Sequence, residues 1–82
     1  MIIIYTTHWC AYCVSAKKFF REHNIKYKEI NIEKENISRE DLLKITGSYT
    51  VPQIVINDNS IGGYVELLKL YQDKKLEGII NE

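Results

Sequence analysis

The chain has 82 residues, and its eleven basic and eleven acidic side chains give no net formal charge. This length predicts one domain over residues 1–82, and the balanced charge argues against a protein dedicated to nucleic acid or a membrane surface. The apolar run from Ile2 to Ile4 is too short for a signal sequence or a membrane span, so we expect a cytoplasmic protein.

The first two elements are predicted to be a strand and a helix. Residues Ile2 to Thr6 are mostly β-branched and do not alternate with polar residues, which is typical of a central strand covered on both faces. From about Ala11 to His23 apolar residues recur at spacings of three and four, which indicates a helix. Asn24 is a suitable left-handed residue to end this helix, and Ile25 is expected to pack back on its last turn.

The middle of the chain is predicted to hold a second strand and a short helix. Residues Tyr27 to Ile32 show the alternation of a strand. Ser38, with Asp41 three residues later, resembles the capping box that begins many helices. This helix is expected to end at Gly47.

The last third is predicted to form a hairpin and a final helix. Residues Gln53 to Ile56 form the third strand, and polar residues 57–59 turn the chain into an antiparallel fourth strand through Ser60 and Ile61. The final helix is expected to start near Tyr64. It is expected to bury the following side chains or their neighbours: Val65, Leu68 and Tyr71. The last two residues, Asn81 and Glu82, are expected to be frayed.

The order of these elements predicts an α/β fold. A strand, a helix and a second strand come first and should form a parallel crossover unit. A helix, a hairpin and a last helix follow. We therefore expect a mixed four-stranded sheet flanked by three helices.

Cys10 and Cys13 are the only cysteines, and they lie where the first strand passes into the first helix. Residues three apart on a helix are neighbours, close enough for a disulfide. The free N–H groups and partial positive charge of a helix N-terminus stabilise a thiolate, so the pKa of the Cys10 thiol is expected to be lowered. We therefore predict two catalytic cysteines, Cys10 as the nucleophile and Cys13 as a more buried second thiol.

A zinc site and a pair of unreactive core thiols are the alternatives. A structural zinc ion needs four ligands, whereas one C-x-x-C supplies two, and His23 lies about 15 Å along the helix from Cys13. Placement at a helix start disfavours unreactive thiols. The sequence therefore predicts no metal ligand.

Two later segments each allow an ordinary and a functional interpretation. Thr50-Val51-Pro52 is either a simple strand start or a cis Val51–Pro52 bond, which would free the main chain of Val51 to pair with an extended peptide. Gly62-Gly63 is either a hairpin exit with positive φ or the approach to a helix N-terminus that binds an anion. The residues alone leave both choices open.

Together, Cys10-Ala11-Tyr12-Cys13, Thr50-Val51-Pro52 and Gly62-Gly63-Tyr64 occur in the order and spacing of a glutaredoxin. The likeness covers nearly the whole chain, and the three motifs are specific where C-x-x-C alone is not. The chain resembles a small bacterial-type dithiol glutaredoxin of the thioredoxin fold. This resemblance implies the cis Val51–Pro52 bond.

The resemblance also implies a glutathione groove beside Cys10. In such a groove the main chain of Val51 meets the cysteinyl part of glutathione. The γ-glutamyl carboxylate meets the N–H groups of Tyr64 and Val65. The residues that the resemblance assigns to glutathione binding are Tyr12, Thr50, Val51, Pro52, Gly63, Tyr64 and Val65.

Several positions near the predicted site depart from the family pattern or have two interpretations. Thr7 stands where many members carry a basic residue that pairs with a glutathione carboxylate, Val65 where a polar or acidic residue is frequent, and Ala11 where proline is common. An exposed ion pair is worth about 0.2–1 kcal/mol, so we expect glutathione to bind more weakly but still to bind. Trp9 is either a contact for protein partners or a cover for the helix start.

The resemblance implies a thiol–disulfide oxidoreductase that reduces protein disulfides and glutathione mixed disulfides. Glutathione would be its reducing co-substrate, with no tightly bound cofactor. Its partners would be disulfide-containing or glutathionylated proteins, with no nucleic acid or membrane, and it would act as a monomer. Two alternatives stay open. Thr7 and Val65 would suit a redoxin reduced by a flavoprotein reductase or serving a dedicated reductase partner, and Ala11 would suit a [2Fe–2S] cluster carrier.

Overall fold

The computed structural model describes residues 1–81, which contain four strands and four helices. The strands are β1 (Ile2–Thr6), β2 (Lys28–Asn31), β3 (Gln53–Ile56) and β4 (Asn59–Gly62). The helices are α1 (Ala11–Glu22), α2 (Arg39–Thr46), α3 (Tyr64–Gln72) and α4 (Leu76–Ile80). Of the two residues predicted to fray, Asn81 caps the end of α4, and Glu82 lies outside the described residues.

The strands form one mixed sheet in the order β2-β1-β3-β4. β1 is parallel to β2 and antiparallel to β3, and β4 returns antiparallel to β3. This arrangement confirms the predicted four-stranded thioredoxin-like sheet. β1 lies inside the sheet, with β2 on one side and β3 on the other. This central position was predicted from its unbroken apolar run, because a central strand is covered on both faces and needs no polar side chains.

Each face of the sheet carries its own apolar cluster, because successive side chains of a strand point to opposite faces. On one face the strands pack against α1, α3 and α4, with these buried side chains: Ile2, Ile4, Ala16, Phe19, Phe20, Ile54, Ile56, Leu67 and Leu76. On the other face, Tyr5 and Ile32 pack with Leu42 of α2. The packing of α1 against the sheet fixes where its first residues stand.

The predicted ends of the first two helices are confirmed. Asn24 has a left-handed φ of 55°, and the N–H of Ile25 donates to Phe20 O at 2.8 Å. Ser38 Oγ accepts from the N–H of Asp41 at 3.0 Å, and the Asp41 carboxylate accepts from the N–H of Ser38 at 3.2 Å. α2 then ends at Gly47, whose φ is 86°. Local capping chemistry therefore sets these boundaries.

The C-terminal third holds a fourth helix that the sequence pattern did not predict. Asp73 caps the end of α3, and Lys74 takes a left-handed φ of 59°. α4 then runs for five residues around the buried Leu76. One and a half turns are too few for a helical apolar period to be recognised.

The buried face of α3 is centred on Leu67, a neighbour of the residues predicted to be buried. Leu67 is fully buried and Leu68 is half-buried, whereas Val65 is 64% exposed and Tyr71 is 49% exposed. Tyr71 keeps its ring edge on Phe19, with centroids 5.2 Å apart. The rotation of α3 thus leaves Val65 facing solvent at the start of the helix. Within residues 1–81, no helix combines the length and the apolar character needed to cross a bilayer.

Candidate functional site

The two cysteines lie at the first turn of α1, where they were predicted. Cys10 is the N-cap residue in extended backbone, and its Sγ accepts from the N–H of Cys13 at 3.0 Å. Their Cα atoms are 5.1 Å apart, and the two sulfurs are joined in a disulfide. Cys13 is 1% exposed and Cys10 is half-buried. The helix N-terminus therefore directs an N–H donor at the more accessible sulfur, which favours negative charge there.

A cavity of about 460 Å³, here called the groove, lies between the starts of α1, β3 and α3. Its lining contains all seven residues predicted to bind glutathione. The structure adds four lining residues that were not among those seven: Ser48, Gln53, Gly62 and Glu66. Tyr12 stacks on Tyr64 across the groove, with ring centroids 6.1 Å apart and planes inclined by 26°. Tyr12, which lies between the two cysteines in the chain, therefore lines the groove.

The segment before β3 forms one wall of the groove. The Val51–Pro52 bond is cis, as the resemblance implied. Within residues 1–81, the N–H and C=O of Val51 make no hydrogen bond, so both are available to a ligand. The Thr50 hydroxyl accepts from Gln53 Nε2 at 3.1 Å and lies 3.2 Å from Ser48 Oγ, which fixes the loop that presents Val51.

The start of α3 also lines the groove. The Glu66 carboxylate accepts from the N–H of Gly63, the N-cap residue, at 2.6 Å. Gly62 has a φ of 104°, and a Cβ there would lie 2.8 Å from Glu66 Cγ, so this position requires glycine. Among the described residues that line the groove, Glu66 carries the one formal charge. A capping acid two residues after Tyr64 was the sequence signal for it.

A second cavity of about 620 Å³, here called the second cleft, lies on the other side of the cysteine pair. Its lining residues are Thr7, His8, Trp9, Cys10, Ala11, Cys13, Val14, Lys17, Glu29, Asn31 and Lys34. The departures from the family pattern at Thr7 and Ala11 therefore lie here and not in the groove. The sequence did not indicate this cleft, because β2 and the turn after it reach the site through the pairing of β2 with β1, two segments that are far apart in the chain.

The polar wall of the second cleft is a short hydrogen-bonded network. Thr6 Oγ1 donates to Glu29 Oε2 at 2.7 Å, and Lys17 Nζ donates to the same oxygen at 3.1 Å. Partial burial by itself raises the pKa of Glu29. The hydrogen bonds from Thr6 and Lys17 and the charges of Lys17 and Lys34 outweigh it, so this pKa lies below its ordinary value. Glu29 is therefore an anion paired with Lys17 at neutral pH.

Replacing Glu29 by glutamine is expected to lower stability in a pH-dependent way. A carboxyl whose pKa is lower in the folded state stabilises the fold above its unfolded value of about 4.3, and this contribution disappears as the pH falls through the folded value. For a pair this exposed we expect Glu29→Gln to lose about 0.2–1 kcal/mol at neutral pH and little in acid. Urea unfolding at a series of pH values measures this, with the exposed Glu35→Gln as the control. A difference from wild type that did not change with pH would contradict the role of the charge.

The loop before Cys10 holds Trp9 away from the protein. Trp9 has a φ of 50° and is 93% exposed, so it does not cover the helix start. The N–H of His8 donates to Glu33 Oε1 at 2.6 Å, which ties the loop to the turn after β2. Within residues 1–81, no group of three or more His, Cys, Asp or Glu side chains is placed to hold a metal ion.

Comparison with known proteins places these features in one family. The family model described as glutaredoxin matches residues 2–61. A glutaredoxin of Pseudomonas aeruginosa is 35% identical over 80 residues, which are 98% of this chain and 95% of that protein. Human mitochondrial glutaredoxin-2 is 33% identical over 84 residues, and the match takes in 99% of this chain but only 51% of that protein.

The fold is also similar to solved structures of glutaredoxins. The crystal structure of a buckwheat glutaredoxin–glutathione complex superposes with a TM-score of 0.87 at 27% identity, over 98% of this chain and 76% of that one. Wheat glutaredoxin superposes with a TM-score of 0.85 at the same identity, over 98% of this chain and 78% of that one.

Proposed function

The chain belongs to the glutaredoxin family and is a thiol–disulfide oxidoreductase, and on that premise we propose that glutathione is its reductant and Cys10 its nucleophile. Its substrates would be glutathionylated proteins and protein disulfides. Cys13 would resolve the intermediates formed on the second class.

The groove is the observation that supports glutathione. It brings residues from three separate segments of the chain into one cavity of about 460 Å³ beside the cysteine pair. The main chain of Val51 is available to pair with the cysteinyl part of glutathione, as with a short strand. The N–H groups of Tyr64 and Val65 at the start of α3 would hold the γ-glutamyl carboxylate, because a helix N-terminus attracts anions. The buckwheat relative was crystallised as a glutathione complex.

On a glutathionylated protein, the chemistry needs one cysteine. The Cys10 thiolate attacks the glutathione sulfur, a Cys10–glutathione disulfide forms, and the protein thiolate leaves and takes a proton from water. The groove holds the glutathione part during this exchange. A second glutathione thiolate then attacks the bound glutathione sulfur, which releases oxidised glutathione and restores the Cys10 thiolate.

On a protein disulfide, both cysteines are needed. Cys10 attacks one sulfur of the substrate and forms a mixed disulfide, and the other substrate sulfur leaves as a thiolate. Cys13 then attacks Cys10 Sγ, so the Cys10–Cys13 disulfide forms and the reduced substrate departs. One glutathione thiolate opens this disulfide at Cys10, and a second removes the glutathione as its oxidised dimer. The separation of the two cysteines, 5.1 Å between Cα atoms, suits this internal attack.

A comparison of reductants tests the proposal. The oxidised protein is mixed with glutathione and glutathione reductase, or with a flavoprotein thioredoxin reductase, and NADPH consumption is followed with hydroxyethyl disulfide as substrate. We expect turnover with glutathione and little with the flavoprotein. The reverse result would support the redoxin alternative. A brown, dimeric protein after anaerobic purification would support the cluster-carrier alternative.

Replacing Val65 by threonine is expected to improve the use of glutathione. Val65 is 64% exposed at the second residue of α3, so a hydroxyl there would face the carboxylate held by the helix start. A net hydrogen bond of about 0.5–1.5 kcal/mol corresponds to a KM for glutathione roughly twofold to tenfold lower. Steady-state kinetics with varied glutathione measure it. Val65→Ala removes the same apolar contact without adding a donor, and an equal KM in both variants would contradict this placement of the ligand.

The same chemistry supports a proposal for the cellular compartment and the oligomeric state of the protein. A dithiol that must be returned to its reduced form requires a compartment with a reduced thiol pool, which supports the cytoplasm. A single domain acting as a monomer suffices for the steps above, since both cysteines and the whole groove come from one chain. Cell fractionation and the mass in solution of the reduced protein test these two points.

A further inference from the structure

The reactive sulfur opens onto the second cleft. Cys10 and Cys13 both line it, whereas in the described chain neither lines the groove proposed for glutathione. A protein joined to Cys10 by a mixed disulfide must place the residues around its own cysteine within a few ångströms of that sulfur. With a tripeptide in the groove, the second cleft is the adjoining concave surface left for the polypeptide.

Two apolar side chains that line the second cleft, Trp9 and Val14, are exposed to solvent. Trp9 is 93% exposed and Val14 is 57% exposed. A φ of 50° is uncommon for a large residue and carries a cost, yet the Trp9 backbone adopts it, and the hydrogen bond from His8 to Glu33 holds the loop. The fold therefore maintains a large apolar side chain in water next to the reacting sulfur. Exposed aromatic side chains of this kind are typical of contact surfaces.

The lysine and acidic residues that line the second cleft are Lys17, Lys34 and Glu29, which leaves an excess of one positive charge among the lining residues. The Lys17 ammonium is neutralised by Glu29 at 3.1 Å. Lys34 is exposed and, within residues 1–81, makes no ion pair. Glu33 does not line the cleft, but its carboxylate accepts from the N–H of the lining residue His8 and is a negative charge at the edge of the cleft. A ligand in the second cleft thus meets both the Lys34 ammonium, which makes no ion pair among the described residues, and the exposed ring of Trp9.

We propose that the second cleft docks the polypeptide of protein substrates and favours a segment with a carboxylate and an apolar side chain next to the reacting cysteine. Lys34 would select the carboxylate, and Trp9 would contact the apolar side chain. The inference rests on the proposed function, because it takes Cys10 as the attacking residue and assigns the groove to glutathione.

A single-turnover reaction without glutathione tests the docking. Three peptides differ only in the residues that flank one cysteine, which are aspartate, asparagine or lysine, and each cysteine is activated as a 2-pyridyl disulfide. The Cys10 thiolate attacks the peptide sulfur, a Cys10–peptide disulfide forms, and the pyridyl sulfur leaves with the electron pair as coloured 2-thiopyridone after taking a proton. Each rate is divided by that of 2-mercaptoethanol with the same peptide, which corrects for intrinsic reactivity.

We expect the aspartate peptide to react about threefold to tenfold faster than the lysine peptide, as an attraction and a repulsion of exposed charges together allow. Lys34→Gln is expected to bring this ratio close to one, while Lys44→Gln, an exposed lysine on α2, leaves it unchanged. Raised salt is expected to reduce the ratio. Trp9→Asn, which tolerates the left-handed backbone, is expected to slow peptides carrying a flanking leucine about threefold and to spare hydroxyethyl pyridyl disulfide.

Three results would overturn the inference. They are an aspartate-to-lysine ratio near one in the wild type, a ratio that Lys34→Gln leaves intact, and a loss in either variant that is equal for the small neutral disulfide. The last result would mean that the cleft acts on the cysteine itself. Failure of the glutathione proposal would instead appear only in the reductant comparison, since no glutathione is present in this reaction.

Discussion

Replacing Cys10 by serine is expected to abolish turnover of every disulfide substrate, whereas Cys13→Ser is expected to keep deglutathionylation and lose the reduction of protein disulfides. Cys10 is the accessible sulfur at the helix start, and Cys13 is 1% exposed behind it. Loss of a nucleophile costs on the order of a thousandfold or more. Two assays on both variants measure this, one with a glutathionylated peptide and one with a protein disulfide.

The control for these variants is their fold. Serine is close in size to cysteine, so both reduced variants are expected to fold, with Cys13→Ser the less stable of the two because its hydroxyl would be buried. The division of labour would be wrong if both variants lost both activities equally while remaining folded. It would also be wrong if Cys13→Ser kept the protein-disulfide activity and Cys10→Ser lost only deglutathionylation.

Replacing Phe20 by alanine is expected to cause the largest loss of stability. Phe20 is fully buried between α1 and the sheet, and its ring lies 5.4 Å from that of Tyr27 and 6.0 Å from that of Phe19. Removal of a buried phenyl group costs about 3–5 kcal/mol. The total stability of a domain is about 5–15 kcal/mol, so the variant should be marginally folded. Urea unfolding followed by far-ultraviolet circular dichroism measures the loss.

Two comparisons locate this effect in packing. Phe20→Leu keeps most of the volume and is expected to lose clearly less, and Leu43→Ala, at a residue 44% exposed on α2, is expected to lose little. Phe20 lies ten residues from Cys10, about 15 Å along the helix. The folded fraction of Phe20→Ala should therefore retain its kcat/KM. A stable Phe20→Ala variant, or a folded variant with lost activity, would contradict this assignment.

The fold was predictable where local chemistry decides it. The uninterrupted apolar run of β1, the left-handed Asn24, the Ser38–Asp41 capping box and Gly47 are each recognised within a few residues of sequence, and the structure has all of them. α4 was missed because its position depends on one buried residue, Leu76, and on a reversal at Lys74. Neither feature produces a recognisable spacing of apolar residues in the sequence.

The candidate site was predictable only in part. Cys10 and Cys13 were placed by their own spacing at a helix start, but the seven groove residues came from the likeness of three motifs to a family. Glu29 and Lys34 carry no motif and reach the site because β2 pairs with β1. Contacts set by strand pairing between distant segments are not encoded in any short stretch, so the second cleft could be found only in three dimensions.

Trp9 is the only tryptophan in the chain, and this gives the protein a built-in optical probe of unusual placement. Indole emission shifts when the ring passes between water and an apolar environment, and here the ring is already 93% exposed in the folded state. The wavelength of its emission should therefore change little on unfolding, and it should shift when a ligand covers the ring beside Cys10. A titration monitored through this fluorophore would report occupancy, while a denaturation curve recorded at the same wavelength would understate the loss of structure.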